Sequence, residues 1–294
     1  MTVRARKLDV TVGPWAKEKL QALADYLEYY NTVLKKQAWL TGTIFIDGFA
    51  GAGYSQIRAK SDPNPRLIDL TDEEQSEFIA GSPRVALELK TPFQFYLFIE
   101  RDDLRRAELE KLIAEFPDRV IRVRGGDAGT VISEVLSKRD DWSKYRGVAF
   151  LDPFGTHLPW TTIEQLAATK SFEVLINFPL QMAIQRLIPK EGEIDEEWRG
   201  HFDEYFGTEE WFGEVYQHTE GLFGCELKKR DDYGKRLLRL YLKRLEAAFG
   251  HVSPAKLICN TKKHSLYYLV WAGPHAAGLK GAQHILSKGQ HVRV

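Results

Sequence analysis

The feature that most constrains the fold is a regular alternation of short apolar runs with helical patterns. Five such runs predict buried strands, over residues 43–49, 93–99, 120–123, 147–151 and 172–178. Helical patterns separate several of them, at 104–116 and 130–136. Strands that alternate with helices are typical of a parallel sheet covered by helices on its faces. We therefore predict an α/β fold.

The remaining segments predict elaborations of this sheet. A helical pattern at 14–36 precedes the first strand, the sequence Ser82-Pro83 predicts the start of a helix, and the residues at 161–164 read as a capping box that opens another. A polar stretch at 55–80 has the composition of an insertion or flap.

The second half of the chain is less regular. Residues 180–224 are aromatic and partly helical, an amphipathic helix is predicted at 233–249, and two runs at 256–260 and 266–271 predict an antiparallel hairpin that closes the sheet. We find no linker. We therefore expect one elaborated domain over 1–294, with an N-terminal half at 14–178, an insertion at 180–224 and a C-terminal part at 225–294 that completes the sheet.

Charge is distributed unevenly along a chain whose net charge is zero. Residues 225–294 contain 14 Lys and Arg against 4 Asp and Glu. A basic segment of this kind can meet a polyanion such as nucleic acid, although a set of solvated helix faces has the same composition.

Other bulk features exclude whole classes of protein. No apolar run is long enough for a membrane span, and the basic N-terminus lacks the apolar core of a secretory signal. Cys225 and Cys259 fit neither a metal nor a redox spacing, so we expect no metal and a cytoplasmic location.

Distinctive polar residues follow each of the five predicted strands. They are Asp47, Glu100, Asp127, Asp152 and Asn177. In open parallel sheets, ligands bind at the edge formed by the carboxyl ends of the strands. The sequence therefore predicts a ligand site that these five residues share.

The first of these strands runs into the stretch FIDGFAGAG at 45–53, which contains Gly48, Gly51 and Gly53. Glycines there serve either a tight turn or a ligand that approaches the backbone closely. A dinucleotide fingerprint requires a different glycine spacing and an acidic residue about 20 residues later. Glu100 follows Gly53 by 47 residues, so a nucleotide-dependent oxidoreductase remains only an alternative.

Two of the acidic residues have more than one interpretation. Glu100 can accept hydrogen bonds from a ribose diol, or it can pair with Arg101 at the surface. Asp127 can accept from an adenine amino group, cap the following helix, or do both.

A second distinctive stretch, Asp152-Pro153-Phe154-Gly155, follows the fourth strand. Such a rigid loop can hold a carboxylate against a substrate N–H and stack an aromatic ring on a planar group. The alternative is an ordinary proline turn with a core phenylalanine.

Taken together, these motifs resemble those of class I S-adenosylmethionine-dependent methyltransferases. The shared segments are FIDGFAGAG, FIE, GGDA, FLDPFG and NFP, in that order. The chain is more closely similar to the three-Cys-motif partner (TcmP) family, with which it shares the helix WAKEK at 15–19, the sequence GSP at 81–83 and LYYLVWA at 266–272. The resemblance covers roughly residues 15–287.

The resemblance implies a Rossmann-like sheet, mostly parallel with an antiparallel terminal hairpin strand, and S-adenosylmethionine as cofactor. Asp47, Phe49, Gly51 and Gly53 would surround the methionine portion of the cofactor. Glu100 would bind the ribose, while Asp127 and Ala128 would lie at the adenine.

The loop at 152–155 resembles the D/N-P-P-Y/F motif of methyltransferases that act on amino groups of bases, but it has Phe154 in place of the second proline and Gly155 in place of the aromatic residue. We assign the catalytic role to Asp152, Pro153 and Phe154, with Asp152 orienting the acceptor N–H and Phe154 stacking on the base. The residues predicted to bind substrate are Gly155, Asn177, Phe178, Lys228, Lys229 and Arg236.

The sequence thus predicts a methyltransferase that acts on a base amino group of nucleic acid or a similar nitrogen. The family name also implies a companion protein with closely spaced cysteines, similar to radical iron–sulfur proteins. A module that keeps the fold and has lost catalysis is the alternative that the altered 152–155 loop leaves open.

Overall fold

The structure is a computed structural model that describes residues 11–12, 15–57, 78–153, 155–189, 194–221, 224–259 and 263–287. Phe154 and most of the predicted insertion at 55–80 lie outside the described residues.

The described residues form thirteen strands, most of them short. They are β1 Thr11–Val12, β2 Gly42–Asp47, β3 Tyr54–Ile57, β4 Phe78–Ala80, β5 Phe95–Glu100, β6 Val120–Gly125, β7 Tyr145–Leu151, β8 Phe172–Phe178, β9 Tyr216–Gly221, β10 Gly224–Lys229, β11 His251–Val252, β12 Lys256–Cys259 and β13 Ser265–Gly273. The helices are α1 Trp15–Leu34, α2 Ser82–Leu87, α3 Asp103–Glu115, α4 Ala128–Leu136, α5 Trp160–Ala168, α6 Gln185–Leu187, α7 Glu196–Phe206, α8 Glu210–Val215, α9 Tyr233–Phe249 and α10 Ala276–Leu286. A π-helical turn covers Leu180–Ile184.

One large sheet of eight strands organises the chain. Its order is β6-β5-β2-β7-β8-β13-β11, and β12 also pairs with β13. The first five of these strands are parallel, whereas β13 runs antiparallel to β8 and to both β11 and β12. The predicted mostly parallel sheet with an antiparallel terminal hairpin is confirmed.

The five predicted parallel strands are all present, and each of their ends lies within two residues of the predicted one. Side chains alternate between two apolar layers, because successive residues of a strand point to opposite faces. Val148 and Phe150 pack on the side of α1, α3 and α10, while Ala149 and Leu151 pack on the side of α4, α5 and α9.

Two predicted helix starts are wrong in detail. Helix α2 has Gly81 as its N-cap, and Ser82 lies inside the helix without capping it. Helix α5 begins at Trp160, ahead of the predicted capping box, and its N-cap Pro159 offers no side-chain acceptor. Glu164, the expected partner of that box, accepts a hydrogen bond from the Trp160 indole at 2.9 Å instead.

The segment at 180–224, predicted to be aromatic and partly helical, contains the π-helical turn, helices α6 to α8 and strand β9, so its partly helical character is confirmed. Strand β9 pairs with β10 as a separate antiparallel hairpin. Phe202, Phe206 and Trp211 are fully buried there, and they extend the apolar layer that α4, α5 and α9 form on one face of the large sheet. Among the described residues, no helix combines the length and the apolar character that a membrane crossing requires.

Candidate active site

The polar residues predicted from the strand ends share one edge of the sheet. Asp47 is the last residue of β2, Glu100 is the last residue of β5, and Asp127 and Asp152 follow β6 and β7 closely. Asn177 is the penultimate residue of β8. Since these five strands are parallel neighbours, their carboxyl ends meet along a single edge.

Asp47 lies at the centre of this edge and is fully buried. Its Oδ1 accepts a hydrogen bond from the Phe49 amide at 3.1 Å, whereas its Oδ2 accepts no well-formed hydrogen bond from the described residues. Burial raises the pKa of Asp47 to about 7, although donation from the Ser82 side chain and the Phe49 amide acts in the opposite direction. A buried oxygen without a partner is costly unless a ligand or water supplies a donor.

The glycines after β2 differ in what surrounds them. Gly53 has φ +79°, and a Cβ there would lie 2.9 Å from Leu112 Cδ1, so the backbone conformation favours glycine and a side chain would also displace Leu112. Gly51 has φ +63°, yet a Cβ there would meet nothing within 4 Å. The backbone at Gly51 therefore adopts a conformation that favours glycine while facing open space, into which a ligand can fit. The loop leads into strand β3, which pairs with β4.

Glu100 and Asp127 lie further along the same edge. Glu100 is 8% exposed, and its Oε1 accepts a hydrogen bond from the Asp102 amide at 2.8 Å. Within the described part of the chain, no ion pair joins Glu100 to Arg101. Asp127 is the N-cap of α4 and accepts through Oδ1 from the Thr130 amide at 3.0 Å, so the helix-cap interpretation is confirmed. Ala128, the first residue of that helix, is buried.

Asp152 is engaged by the protein itself. Its Oδ1 accepts a hydrogen bond from the Asn177 amide nitrogen at 2.6 Å, and its Oδ2 forms an ion pair with the ammonium group of Lys19 on α1. The Lys19 and Asp152 side chains are only 14% and 23% exposed. Burial alone would lower the pKa of Lys19, but the charge of Asp152 raises it above its ordinary value, so Lys19 stays cationic.

Two more buried polar atoms border this ion pair without a partner. The Tyr267 hydroxyl on β13 has none among the described residues, and Lys19 Nζ lies 5.4 Å from the centroid of the Tyr267 ring. The Asn177 Oδ1 is likewise buried and unpaired. Together with Asp47 Oδ2, these atoms form a polar cluster that the described residues do not satisfy.

Several of the residues predicted to bind substrate already have partners within the protein. The Phe178 ring is fully buried and packs against Tyr241, with centroids 4.7 Å apart, so protein covers the surface that a base would need. Lys229 donates to the Ile188 carbonyl at 2.9 Å, and Arg236 pairs with Glu214 at 2.9 Å.

Of the other predicted residues, Pro153 and Gly155 lie in the loop directly after β7, whereas Lys228 lies on the separate hairpin strand β10. Pro153 is buried directly after Asp152, Gly155 has φ +82°, and Lys228 is exposed on β10. Phe154 lies outside the described residues, so its stacking role stays a prediction.

A groove of about 670 Å³ lies on another part of the molecule, between α5 and α9. Pro274 lines it and follows β13, whose end is paired near the start of β8. The groove therefore lies at the amino ends of the parallel strands, opposite Asp47 and its neighbours. Within the described ranges, no group of His, Cys, Asp and Glu side chains is arranged to hold a metal ion.

Sequence reasoning missed Lys19 and Tyr267. A signal for Lys19 was present, because it precedes the buried Leu23 by one helical turn and therefore lies on the apolar face of α1. A lysine at such a position must find a partner in the core. Tyr267 carried no comparable signal, because its neighbours in β13 are also aromatic or aliphatic.

No protein-family model and no curated protein sequence matches the chain. Among solved structures, LPL1258 from Legionella pneumophila is 13% identical, with 86% of this chain and 96% of that chain covered and a TM-score of 0.41. Trm1 from Pyrococcus horikoshii, solved with S-adenosyl-L-methionine, is 10% identical over 96% of this chain and 61% of that chain, with a TM-score of 0.40. The N-terminal domain of EvdMO1, solved with SAH and D-fucose, is 9% identical over 87% and 84%, with a TM-score of 0.38.

Proposed function

We propose that the chain is a methyltransferase that binds S-adenosylmethionine at the carboxyl edge of the sheet. The observation that carries this proposal is the buried, unpaired Oδ2 of Asp47 beside the open left-handed turn at Gly51. A cofactor with an ammonium group on a slim aliphatic chain that leads to a sulfonium matches both features. Its sulfonium supplies an electrophilic methyl group, and the chain has to bind and orient the two reactants.

The residues along the edge fit the parts of this cofactor in order. Asp47 would accept from the ammonium of the methionine portion, and the bare backbone of Gly51 would lie against it. Glu100 keeps one carboxylate oxygen beyond its bond to the Asp102 amide, which suits a ribose hydroxyl. Asp127 uses Oδ1 as a helix cap, so its Oδ2 would accept from adenine beside Ala128.

For the acceptor, we propose a nitrogen such as a base amino group of nucleic acid, as the motif at 152–155 suggests. Each carboxylate oxygen can accept more than one hydrogen bond, so the acceptor N–H would share Asp152 with Lys19 and Asn177. The exposed Lys228 would contact the phosphate backbone. We also propose, on the resemblance alone, a companion protein with closely spaced cysteines.

Isothermal titration calorimetry with S-adenosylmethionine tests the cofactor assignment. Glu100→Ala removes the ribose contact and should weaken binding by about 10- to 100-fold, since hydrogen bonds to charged groups contribute about 1.5–3 kcal/mol. The exposed Glu197→Ala on α7 is the matched control and should bind like the wild type. Absence of binding by the wild type would refute the proposal.

Transfer of a labelled methyl group to single-stranded DNA, RNA or protein tests the reaction. Asp152→Ala should abolish transfer while cofactor binding persists. The engagement of both Asp152 oxygens within the chain favours a second candidate, a binding module without catalysis. Cofactor binding without transfer to any of the three acceptor classes would support that candidate.

A further inference from the structure

We propose that Lys19 binds the carboxylate of the methionine portion of S-adenosylmethionine, so that helix α1 forms one wall of the cofactor site. Asp47 and Lys19 would then recognise the zwitterionic amino acid as a pair, one for each charge. This inference rests on the proposed function. It adds to the cofactor site a residue of helix α1, whereas the residues predicted from the sequence lie at or near strand ends.

The position of Lys19 follows from the packing of α1 on the sheet. The helix buries Leu23 and Tyr26 against the same layer as Val148 and Phe150 of β7. This packing carries the Lys19 side chain to the carboxyl edge, where it meets Asp152 just beyond the end of β7.

Lys19 and Asp47 lie within electrostatic reach of each other. Strand β7 is the direct neighbour of β2, and Asp47 is paired in register with Phe150, two residues before Asp152. The charge of Lys19 lowers the pKa of Asp47, while the charge of Asp47 raises that of Lys19. The two side chains thus offer an anion and a cation on adjacent parts of one edge.

The hydrogen-bonding capacity of the cluster matches a carboxylate. An ammonium group has three hydrogens, and among the described residues Asp152 is the acceptor that Lys19 reaches. The buried Tyr267 hydroxyl beside it lacks a partner and can donate to the same ligand. Asp47 Oδ2 is an acceptor without a donor. A free amino acid moiety supplies what each of these groups lacks.

The competing explanation is that Lys19 only neutralises Asp152 and holds α1 on the sheet. S-adenosylmethionine and its decarboxylated form distinguish the two explanations. The decarboxylated form keeps the sulfonium, the adenosine and the ammonium but lacks the carboxylate. If Lys19 only neutralises Asp152, replacing Lys19 should change the affinities for both ligands by the same factor.

The experiment is calorimetry of both ligands with the full chain as wild type, Lys19→Met and Lys17→Met. The wild type should bind S-adenosylmethionine about 10- to 100-fold more tightly than the decarboxylated form, as expected for a charged hydrogen bond. In Lys19→Met this ratio should fall to near one, mainly through loss of affinity for S-adenosylmethionine. Lys17→Met, an exposed neighbour on the same helix, should keep the wild-type ratio.

A wild-type ratio that persists in Lys19→Met would overturn the inference. Because Lys19→Met leaves Asp152 without its cation, the double variant Lys19→Met/Asp152→Asn removes both charges and should give the same ratio near one. Circular dichroism confirms the fold of each variant. If the wild type binds neither ligand, the proposed function fails; if it binds both equally, only the role of Lys19 fails.

Discussion

Replacing the buried Asp47 with asparagine should change how the stability of the protein depends on pH. The carboxyl group is fully buried, and its burial raises the pKa from 3.8 to about 7. A folded state that holds a proton more tightly than the unfolded state is most stable at low pH and loses stability as pH rises through the folded pKa. Asparagine does not titrate, so the variant lacks this loss.

The magnitude follows from the two pKa values. Between pH 5 and pH 7 the unfolded chain has an ionised Asp47 while the folded chain still holds the proton. Each pH unit in this window changes the free energy of unfolding by about 1.4 kcal/mol. The wild type should therefore lose about 3 kcal/mol relative to Asp47→Asn on going from pH 5 to pH 8.

Urea unfolding of the cofactor-free protein at pH 5, 6, 7 and 8, followed by tryptophan fluorescence, measures this difference. Any change in the free energy of unfolding that the asparagine amide itself causes is the same at every pH. The prediction therefore concerns how the difference between the two proteins changes with pH. Asp118→Asn, at an exposed position, is the control, and its free energy of unfolding should differ from that of the wild type by the same amount at all four pH values. A difference between wild type and Asp47→Asn that does not change with pH would refute the buried, protonated carboxyl.

Three further predictions concern the packing and the glycine loop. Glu173→Gln should also flatten the pH dependence of urea unfolding between pH 5 and 8, because burial raises the pKa of Glu173 to about 7 despite hydrogen bonds from Tyr26 and Trp271; an unchanged slope would contradict this. Phe178→Ala should lower the free energy of unfolding by about 3–5 kcal/mol and leave the cofactor affinity of the folded protein unchanged, since the ring is a core side chain; a mild effect on stability would speak for a surface role. Gly51→Ala and Gly250→Ala should each lower the free energy of unfolding by about 1–2 kcal/mol, because both glycines have a left-handed backbone. In calorimetry, only Gly51→Ala should weaken S-adenosylmethionine binding, by at least about tenfold.

Local patterns predicted the scaffold of the site well. The bounds of β8 and α9 agree with the sequence-based prediction, because an apolar run and an amphipathic period are properties of consecutive residues. The predicted helix caps failed where a side chain had a stronger use elsewhere, as with Ser82 beside Asp47 and Glu164 on the Trp160 indole.

Two neighbouring residues of β8 show what could not be predicted from the sequence. Asn177 and Phe178 were both assigned to the substrate, but consecutive residues of a strand point to opposite faces. Asn177 points to the α1 side and bonds to Asp152, whereas Phe178 points to the α9 side and is sealed among aromatic rings. The sequence predicts that side chains alternate along the strand, but it does not indicate which face of the sheet contributes to the site.

By itself, the sequence determined the parallel sheet and the edge at which Asp47, Glu100, Asp127 and Asp152 meet, because both follow from where apolar runs end. Only the tertiary structure decided the partners of those residues. Lys19 and Asp152 are 133 positions apart in the chain, and their pairing depends on how α1 docks on the sheet. Burial then fixes the charge states of the cluster, because the cost of an ion depends on the surroundings that the whole fold supplies.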